Sequence, residues 1–187
     1  MKIILASKSP RRLELMNFLP FDFISLSKEV NEEVLEALSP EENVMLLADK
    51  KAQAVALDHQ DHIVIGCDTL VVAPNKKILG KPKDKEDAVR MLQMLSGNVH
   101  EVYSGVSMRW HQKEMVNNFY QVTLVRMKEL TYDEILSYIE SKEPFDKAGA
   151  YGIQGKGALF IEEIQGDYYN IVGFPLCKIY KELKIWL

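Results

Sequence analysis

The pattern of apolar and polar positions near the N-terminus predicts a strand, a helix and a second strand. The run Lys2–Ala6 is too short for a helix and rich in isoleucine, which is typical of a buried strand. Ser9 and Pro10 suit the N-cap and the first position of a helix whose apolar positions extend to Leu19. A weaker strand pattern covers Phe21–Leu26.

Capping residues mark the starts of three further helices. Ser39 and Glu42 form a capping box for a helix that extends to about His59. Asp84 and Thr131 suit the N-cap positions of two more helices. Each of the three carries apolar residues at helical spacing, so each is predicted to bury one face.

Apolar runs between these helices predict the remaining strands. A β-branched run at 63–66 is followed by Cys67–Thr69, after which strand character resumes at 70–73. The long extended segments Val99–Trp110 and Met115–Val125 predict an antiparallel hairpin. We expect Asp68 to fall at the carboxyl end of a strand, where functional groups gather in open α/β sheets.

The last part of the chain is predicted to form a second hairpin and a C-terminal helix. Residues 158–164 and 168–172 supply the two strands, and the helix follows Pro175 and extends to about Leu187. The order of elements predicts an α/β fold, with a mixed twisted sheet, antiparallel hairpin additions and flanking helices. A chain of 187 residues can bury a sizeable core as a single domain.

Composition narrows the class of protein. The 23 basic and 27 acidic residues give a net charge of −4, which argues against a general nucleic-acid-binding surface. There is no 18-residue apolar run and no signal-peptide pattern, so we expect a cytoplasmic protein without a membrane segment. Cys67 and Cys177 form no metal-like or redox pair, and both are expected to be core residues.

The turn Ser7–Arg12 is the first candidate binding site. It places hydroxyl groups and two guanidinium groups at a helix start, where main-chain N–H groups attract anions. Arg11 and Arg12 oppose the helix dipole, and a bound phosphate would compensate for this because guanidinium forks match phosphate oxygens. The alternative is that both arginines are solvated surface charge.

Two charged residues interrupt otherwise apolar patterns. Lys51 lies on the apolar stripe of the helix that begins at Ser39, so it either extends to the surface or points at a negative group in a cleft. Asp68 interrupts a buried strand, which is costly unless the carboxylate is paired or binds a metal. Asp68 is therefore the first catalytic candidate, and a structural turn is the alternative.

A glycine-rich stretch near residue 150 is the last unusual feature. Four glycines between Gly149 and Gly157 would let the backbone approach a ligand closely. Gln154 lies among them and offers a donor and an acceptor that could read the edge of a base. A turn-rich connection without a ligand is the alternative.

Lys81 is held in the rigid segment Gly80–Pro82.

These candidates together suit a nucleotide. Basic residues fit a polyphosphate, the carboxylates of Glu32 and Asp68 fit a divalent ion, and the Gly/Gln loop fits a base. This is the set of groups that hydrolysis of a nucleotide phosphoanhydride requires. No serine or cysteine has a recognisable histidine partner, which argues against a covalent nucleophile.

Five motifs resemble those of the Maf family of nucleoside triphosphate pyrophosphatases. They occur in order over nearly the whole chain: Ser7–Arg12, Gly66–Thr69, Gly80–Pro82, Leu95–Gly97 and Asp146–Gly155. The Arg pair and the Tyr-Gly-Ile-Gln-Gly loop are similar to the branch that acts on dTTP, UTP and modified uridine nucleotides. Cys67 departs from the family pattern, where a small residue such as alanine is expected, and should change packing only.

The resemblance implies a fold and a reaction. The expected fold is similar to Maf and ITPase proteins, with a central cleft, and residues 1–187 are expected to form one domain, either undivided or with two lobes around a substrate cleft. The implied reaction converts a nucleoside triphosphate to the monophosphate and pyrophosphate, a house-cleaning role in the nucleotide pool. The alternatives are a nucleotide-binding regulatory protein of cell division without significant turnover, and a phosphatase that releases orthophosphate.

The resemblance also implies roles for individual residues. Asp68 would accept the proton of the attacking water, and Glu32 with Asp68 would hold a divalent cation, Mg²⁺, Mn²⁺ or Co²⁺. Glu33 is the alternative to Glu32, because the two are adjacent in a variable segment. The expected phosphate-binding residues are Ser7, Arg12, Lys51 and Lys81, and the expected specificity residues are Arg11, Thr69 and Gln154. A homodimer is expected.

Overall fold

The computed structural model describes residues 3–187, which form helices on a mixed sheet. The strands are β1 (Ile3–Leu5), β2 (Phe23–Ser25), β3 (Ile63–Val72), β4 (Ile78–Leu79), β5 (Val99–Trp110), β6 (Met115–Met127) and β7 (Ile161–Gln165). The α-helices are α1 (Pro10–Met16), α2 (Pro40–Ala56), α3 (Lys85–Leu95), α4 (Tyr132–Glu140), α5 (Tyr168–Val172) and α6 (Leu176–Trp186). Short 3₁₀ helices occupy His111–Lys113, Glu143–Asp146, Ala148–Ala150 and Gly155–Phe160.

The strands within residues 3–187 form one seven-stranded sheet in the order β2-β1-β3-β5-β6-β7, with β4 paired to β3. Strand β1 is parallel to both β2 and β3, whereas β4 is antiparallel to β3 and β7 to β6. The few residues between β5 and β6 allow only an antiparallel pair, since parallel strands need a long crossover. The predicted mixed α/β sheet with antiparallel additions and flanking helices is confirmed.

The chain divides into two units, and β3, β5 and β6 each have residues in both. The first unit contains residues 3–68, Ser104–Gln121 and Gly173–Leu187, and the second contains Thr69–Tyr103 and Val122–Val172. In the first unit, apolar residues of α2 pack on the region of β1 and β3. In the second, residues of α3 and α4 share a core with residues of β3, β5 and β6. The single-domain expectation stays a prediction.

Most of the predicted elements are present, with shifted ends. The hairpin Val99–Met127 and the capping boxes at Ser39 and Thr131 are confirmed, while α2 ends at Ala56 and not near His59. Ser9 is the N-cap of α1 as predicted, but its side chain forms no cap hydrogen bond. Lys2 of the first predicted strand lies outside the described residues.

Two predictions about the sheet are wrong. Strand β3 continues through Asp68, which therefore lies inside the strand and not at its carboxyl end. The second hairpin is absent, because residues 168–172 form α5 and residues 155–160 a 3₁₀ helix. The side chain of Asp167 accepts the N–H of Tyr169 at 2.9 Å, and Asn170 donates to the carbonyl of Val102, so local and tertiary bonds favour the helix.

None of the helices within residues 3–187 is long and apolar enough to cross a membrane.

Helix α2 lies unusually close to the sheet of the first unit because two strands present glycine to it. A Cβ on Gly66 would lie 2.3 Å from the carbonyl oxygen of Ala48, and one on Gly105 would lie 2.3 Å from that of Val44. Both neighbours are backbone atoms of the helix, which cannot rotate away. The small residues therefore set the distance between α2 and the strands, and with it the reach of the side chains on α2.

We expect Gly66→Ala to lower the free energy of unfolding by about 1–3 kcal/mol or more, because the new methyl group must displace the backbone of α2. Gly80→Ala is the control, since a Cβ there meets no atom within 4 Å, and its stability should stay within about 0.5 kcal/mol of the parent. Urea unfolding measures both. Equal stability of the two variants would contradict the close approach.

Candidate active site

Lys51 links two carboxylates in the first unit. Its Nζ lies 2.6 Å from Oδ1 of Asp68 and 3.0 Å from Oε1 of Glu32. The Asp68 side chain is only 10% exposed and that of Lys51 14%, whereas Glu32 is 54% exposed. Lys51 thus points at negative groups and not simply at solvent, and Asp68 is paired as its position in a strand requires. The structure thus brings these three predicted site residues together.

The structure distinguishes Glu32 from Glu33. Glu32 contacts Lys51, whereas Glu33 forms a local turn in which its N–H donates to Oδ1 of Asn31 at 3.0 Å and its carboxylate accepts from Asn31 at 3.4 Å. Glu32, and not Glu33, therefore lies against Lys51 together with Asp68.

An ion pair that the sequence analysis missed fixes the helix that carries Lys51. Asp49 accepts hydrogen bonds from Nε and Nη2 of Arg109 at 2.8 and 2.7 Å, and from Oγ of Ser107 at 2.8 Å. Burial alone would raise the pKa of Asp49, but these bonds outweigh it and leave the pKa below its ordinary value. The sequence contains one signal for this contact: the polar residues Ser107 and Arg109 lie two positions apart in β5, and therefore on the same face of the strand.

The turn Ser7–Arg12 is held by main-chain contacts. The Oγ of Ser7 accepts the N–H of Ser9 at 3.2 Å, and the carbonyl of Ser7 accepts from Oγ of Ser25 at 2.8 Å. Arg12 donates from Nε to the carbonyl of Gly173 at 2.8 Å and from Nη1 to that of Cys67 at 2.9 Å. Arg12 is therefore fixed beside the residue that precedes Asp68, and it is not a solvated surface charge. Arg11 is half-buried.

The two cysteines differ in environment. Cys67 is fully buried, and burial raises the pKa of its thiol to about 11, so the thiol stays protonated near neutral pH. This agrees with a packing role at the position where the chain departs from the family pattern. Cys177 is exposed on α6, away from the buried positions Ile179 and Leu183, so the expectation that it is a core residue is wrong.

Three predicted site residues belong to the second unit. Thr69 directly follows Asp68 in β3 and is half-buried. Lys81 is exposed and forms no hydrogen bond or ion pair within residues 3–187. Gln154 is half-buried, and its side chain likewise forms no hydrogen bond to any described residue. Both side chains can therefore bond a ligand without breaking a bond of the protein.

The glycines around Gln154 pack against the protein itself. A Cβ on Gly152 would lie 2.6 Å from Cε of Lys147, one on Gly155 would lie 2.8 Å from Oε2 of Glu143, and one on Gly157 would lie 2.3 Å from the carbonyl of Gly152. The sequence predicts for these glycines either close approach of a ligand or a turn-rich connection without one. The structure shows that they let the loop close onto its own unit.

Within residues 3–187, no group of three or more His, Cys, Asp or Glu side chains is arranged to hold a metal ion. Glu32 and Asp68 are the pair of carboxylates that converge on one positive charge, the ammonium group of Lys51.

Comparison with known proteins identifies the family. A family model described as Maf-like protein matches residues 2–186. The chain belongs to the Maf family. The dTTP/UTP pyrophosphatase of Bacillus cereus is 51% identical to this Maf chain over 183 residues, which cover 98% of the chain and 94% of the relative. That of Carboxydothermus hydrogenoformans is 50% identical over 186 residues, with 100% and 99% coverage.

A solved structure supports the fold of this Maf chain. The HAM1 protein from Coxiella burnetii aligns with a TM-score of 0.52 and 16% identity, over 98% of each chain. At this identity the likeness concerns the fold alone. The resemblance to the Maf family and the expected fold class are thus both confirmed.

A buried histidine supports the loop that leads to Gln154. The Nε2 of His100 lies 2.7 Å from the hydroxyl of Tyr151, and the two rings pack edge to face with centroids 5.3 Å apart. Burial lowers the pKa of His100 from 6.5 to about 4, because the charged ring would lose its water. His100 is therefore neutral in the folded protein at neutral pH.

We expect the free energy of unfolding to fall by roughly 2 to 3 kcal/mol between pH 7 and pH 4.5 through His100 alone. In this range the unfolded chain binds a proton at residue 100 that the folded chain does not. His100→Gln should remove this part of the pH dependence, while the matched change His111→Gln, at an exposed site, should keep it. Chemical unfolding at several pH values measures the difference, and identical profiles for the two variants would contradict the assignment.

Proposed function

We propose that the protein is a nucleoside triphosphate pyrophosphatase that hydrolyses dTTP, UTP and modified uridine triphosphates to the monophosphate and pyrophosphate. The observation that carries the proposal is the buried carboxylate of Asp68 inside β3, paired with Lys51 and adjacent to the carbonyl that Arg12 binds. Relatives about half identical over nearly the whole chain are named dTTP/UTP pyrophosphatase, which supports the substrate class. We propose that the reaction serves the cytoplasmic nucleotide pool.

Asp68 is the proposed proton acceptor for the attacking water. Lys51 has three N–H donors, of which one bonds Asp68, and its ammonium group also forms an ion pair with Glu32, so a further N–H is available to a phosphate oxygen. A fixed ammonium group beside the base stabilises the charge that develops on the phosphoryl oxygens while the bond between the α and β phosphates breaks. The proton of the water goes to Asp68, and pyrophosphate leaves.

The remaining roles follow the family motifs. We propose that Ser7, Arg12 and Lys81 bind phosphate oxygens and that Arg11, Thr69 and Gln154 select the base. The Gln154 amide carries one acceptor and one donor group, which match the N–H and the adjacent carbonyl of uracil and thymine. The homodimer stays a prediction.

A divalent cation, Mg²⁺, Mn²⁺ or Co²⁺, completes the proposal. Glu32 and Asp68 fit such an ion, because their oxygens converge on one positive charge and Mg²⁺ is often held by one or two carboxylates plus substrate phosphates. When bound, the ion supplies neutralisation of the phosphate charge. The protein residues orient the substrate and accept the proton.

Adjacent glutamates provide a matched test of the metal assignment. Glu32→Gln should raise the Mn²⁺ concentration needed for half-maximal thermal stabilisation in the presence of dTMP and pyrophosphate by about 10-fold, because one of two ligands is lost. Glu33→Gln, which changes the same charge one residue further along, should leave it unchanged, because within residues 3–187 Glu33 bonds only Asn31 of its own turn. Similar shifts for both variants would argue against Glu32 as a ligand.

A substrate panel tests the reaction itself. Purified protein with Mg²⁺ or Mn²⁺ should release pyrophosphate, and not orthophosphate, from dTTP, UTP and a methylated UTP, with little turnover of CTP, dCTP, ATP or GTP. Asp68→Asn should fold but lose about 10²–10⁴-fold in kcat, because the proton acceptor is gone. Orthophosphate release would indicate a phosphatase, and nucleotide binding without turnover would indicate a regulatory protein.

A further inference from the structure

The carboxylate of Glu143 organises the loop that carries Gln154. Its Oε1 accepts the hydroxyl of Tyr138 at 3.0 Å and the N–H of Gly157 at 3.2 Å, and its Oε2 accepts the N–H of Lys156 at 3.1 Å. The nearby ammonium of Lys147 bonds the carbonyl of Glu143 and the carboxylate of Asp146. The carboxylate of Glu143 therefore bonds main-chain groups of the loop and the hydroxyl of Tyr138.

Glu143 performs the capping that the local sequence does not. Gln154 occupies the N-cap position of the 3₁₀ helix Gly155–Phe160, but its side chain forms no cap hydrogen bond. The N–H groups of Lys156 and Gly157 at the start of that helix bond Glu143 instead. This arrangement leaves the Gln154 amide without a hydrogen bond to any described residue and so open to a ligand.

Tyr138 extends the same network to the other side of Gln154. Its hydroxyl, which donates to Glu143, also accepts the N–H of Gly152 at 3.2 Å. Tyr138 is 3% exposed, whereas Glu143 is half-buried, so the Tyr138 end of the network is shielded from water. The main chain is thus anchored at Gly152, before Gln154, and at Lys156 and Gly157, after it.

We infer that Glu143, acting with Tyr138, is a positioning residue for base selection: it fixes the backbone on both sides of Gln154 and thereby the place of the amide. The inference rests on the proposed function, in which Gln154 reads the pyrimidine.

The position of the Gln154 amide matters because the pyrimidine bases differ in their pattern of hydrogen-bond donors and acceptors and not in their shape. Uracil and thymine present a carbonyl where cytosine presents an amino group. An amide held in one place rejects the wrong pattern because it leaves donors and acceptors unpaired, whereas an amide on a loose loop can shift and rotate to satisfy either base. Glu143 therefore governs the ratio of rates for the two bases more than the rate with the correct one.

The test compares Glu143→Gln with Glu140→Gln, an equal charge change at an exposed residue near the end of α4. The new amide of Glu143→Gln places N–H groups against a main-chain N–H, so the loop should loosen. The ratio of kcat/KM for dTTP to that for CTP should fall roughly 10-fold or more in Glu143→Gln. It should remain unchanged in Glu140→Gln.

A double variant separates positioning from general damage. Gln154→Ala should lower the same ratio, and adding Glu143→Gln to it should lower the ratio no further, since the group that Glu143 positions is already absent. Tyr138→Phe, which breaks the link to Gly152, should act in the same direction and serves if Glu143→Gln does not fold. An equal fall for dTTP and CTP, or independent losses in the double variant, would overturn the inference.

Failure of the function and failure of the inference give different results. Pyrophosphate release from dTTP by the parent protein with an unchanged ratio in Glu143→Gln would overturn the inference alone. Absence of pyrophosphate release from every nucleotide by the parent protein would overturn both.

Discussion

The ion pair between Lys51 and Asp68 is the interaction on which the arrangement of the first unit depends. Two charges that are largely withdrawn from water are costly unless their geometry is held closely. The geometry comes from two sources: Gly66 and Gly105 admit the backbone of α2 to the sheet, and the pair of Asp49 with Arg109 fixes the helix to β5. Elements far apart in the chain thus combine to place one ammonium group beside one carboxylate.

The residues of this pair could be found from the sequence because each breaks a local pattern. Lys51 interrupts an apolar helical stripe and Asp68 an apolar strand, and both anomalies are visible without knowledge of the fold. The sequence could not show that they pair with one another, nor that Glu32 and not Glu33 joins them, because these facts depend on how α2 lies on the strands. The sequence likewise does not show that Asp49 pairs with Arg109, which lies sixty residues further along the chain.

In part of the second unit, by contrast, local sequence patterns did not predict the structure correctly. The short segment 168–172 is rich in residues that favour strands, yet it is helical because Asp167 caps it and Asn170 is bonded to a neighbouring strand. The glycines near Gln154 predicted either close approach of a ligand or a turn-rich connection, and the atoms they make room for belong to residues such as Glu143. Local composition can show that a segment of backbone is tightly folded. Which groups the segment packs around depends on tertiary contacts, which the local composition does not show.

The unequal exposure of the two cysteines gives the protein a built-in reporter of its folding state. A thiol reagent, which the nucleophilic thiolate attacks, reaches Cys177 on α6 in the native molecule, whereas Cys67 is buried and the pKa of its thiol is raised. Cys67 becomes accessible only when β3 separates from its surroundings. The number of thiols modified per chain therefore counts opened molecules, and it does so at the residue that adjoins Asp68.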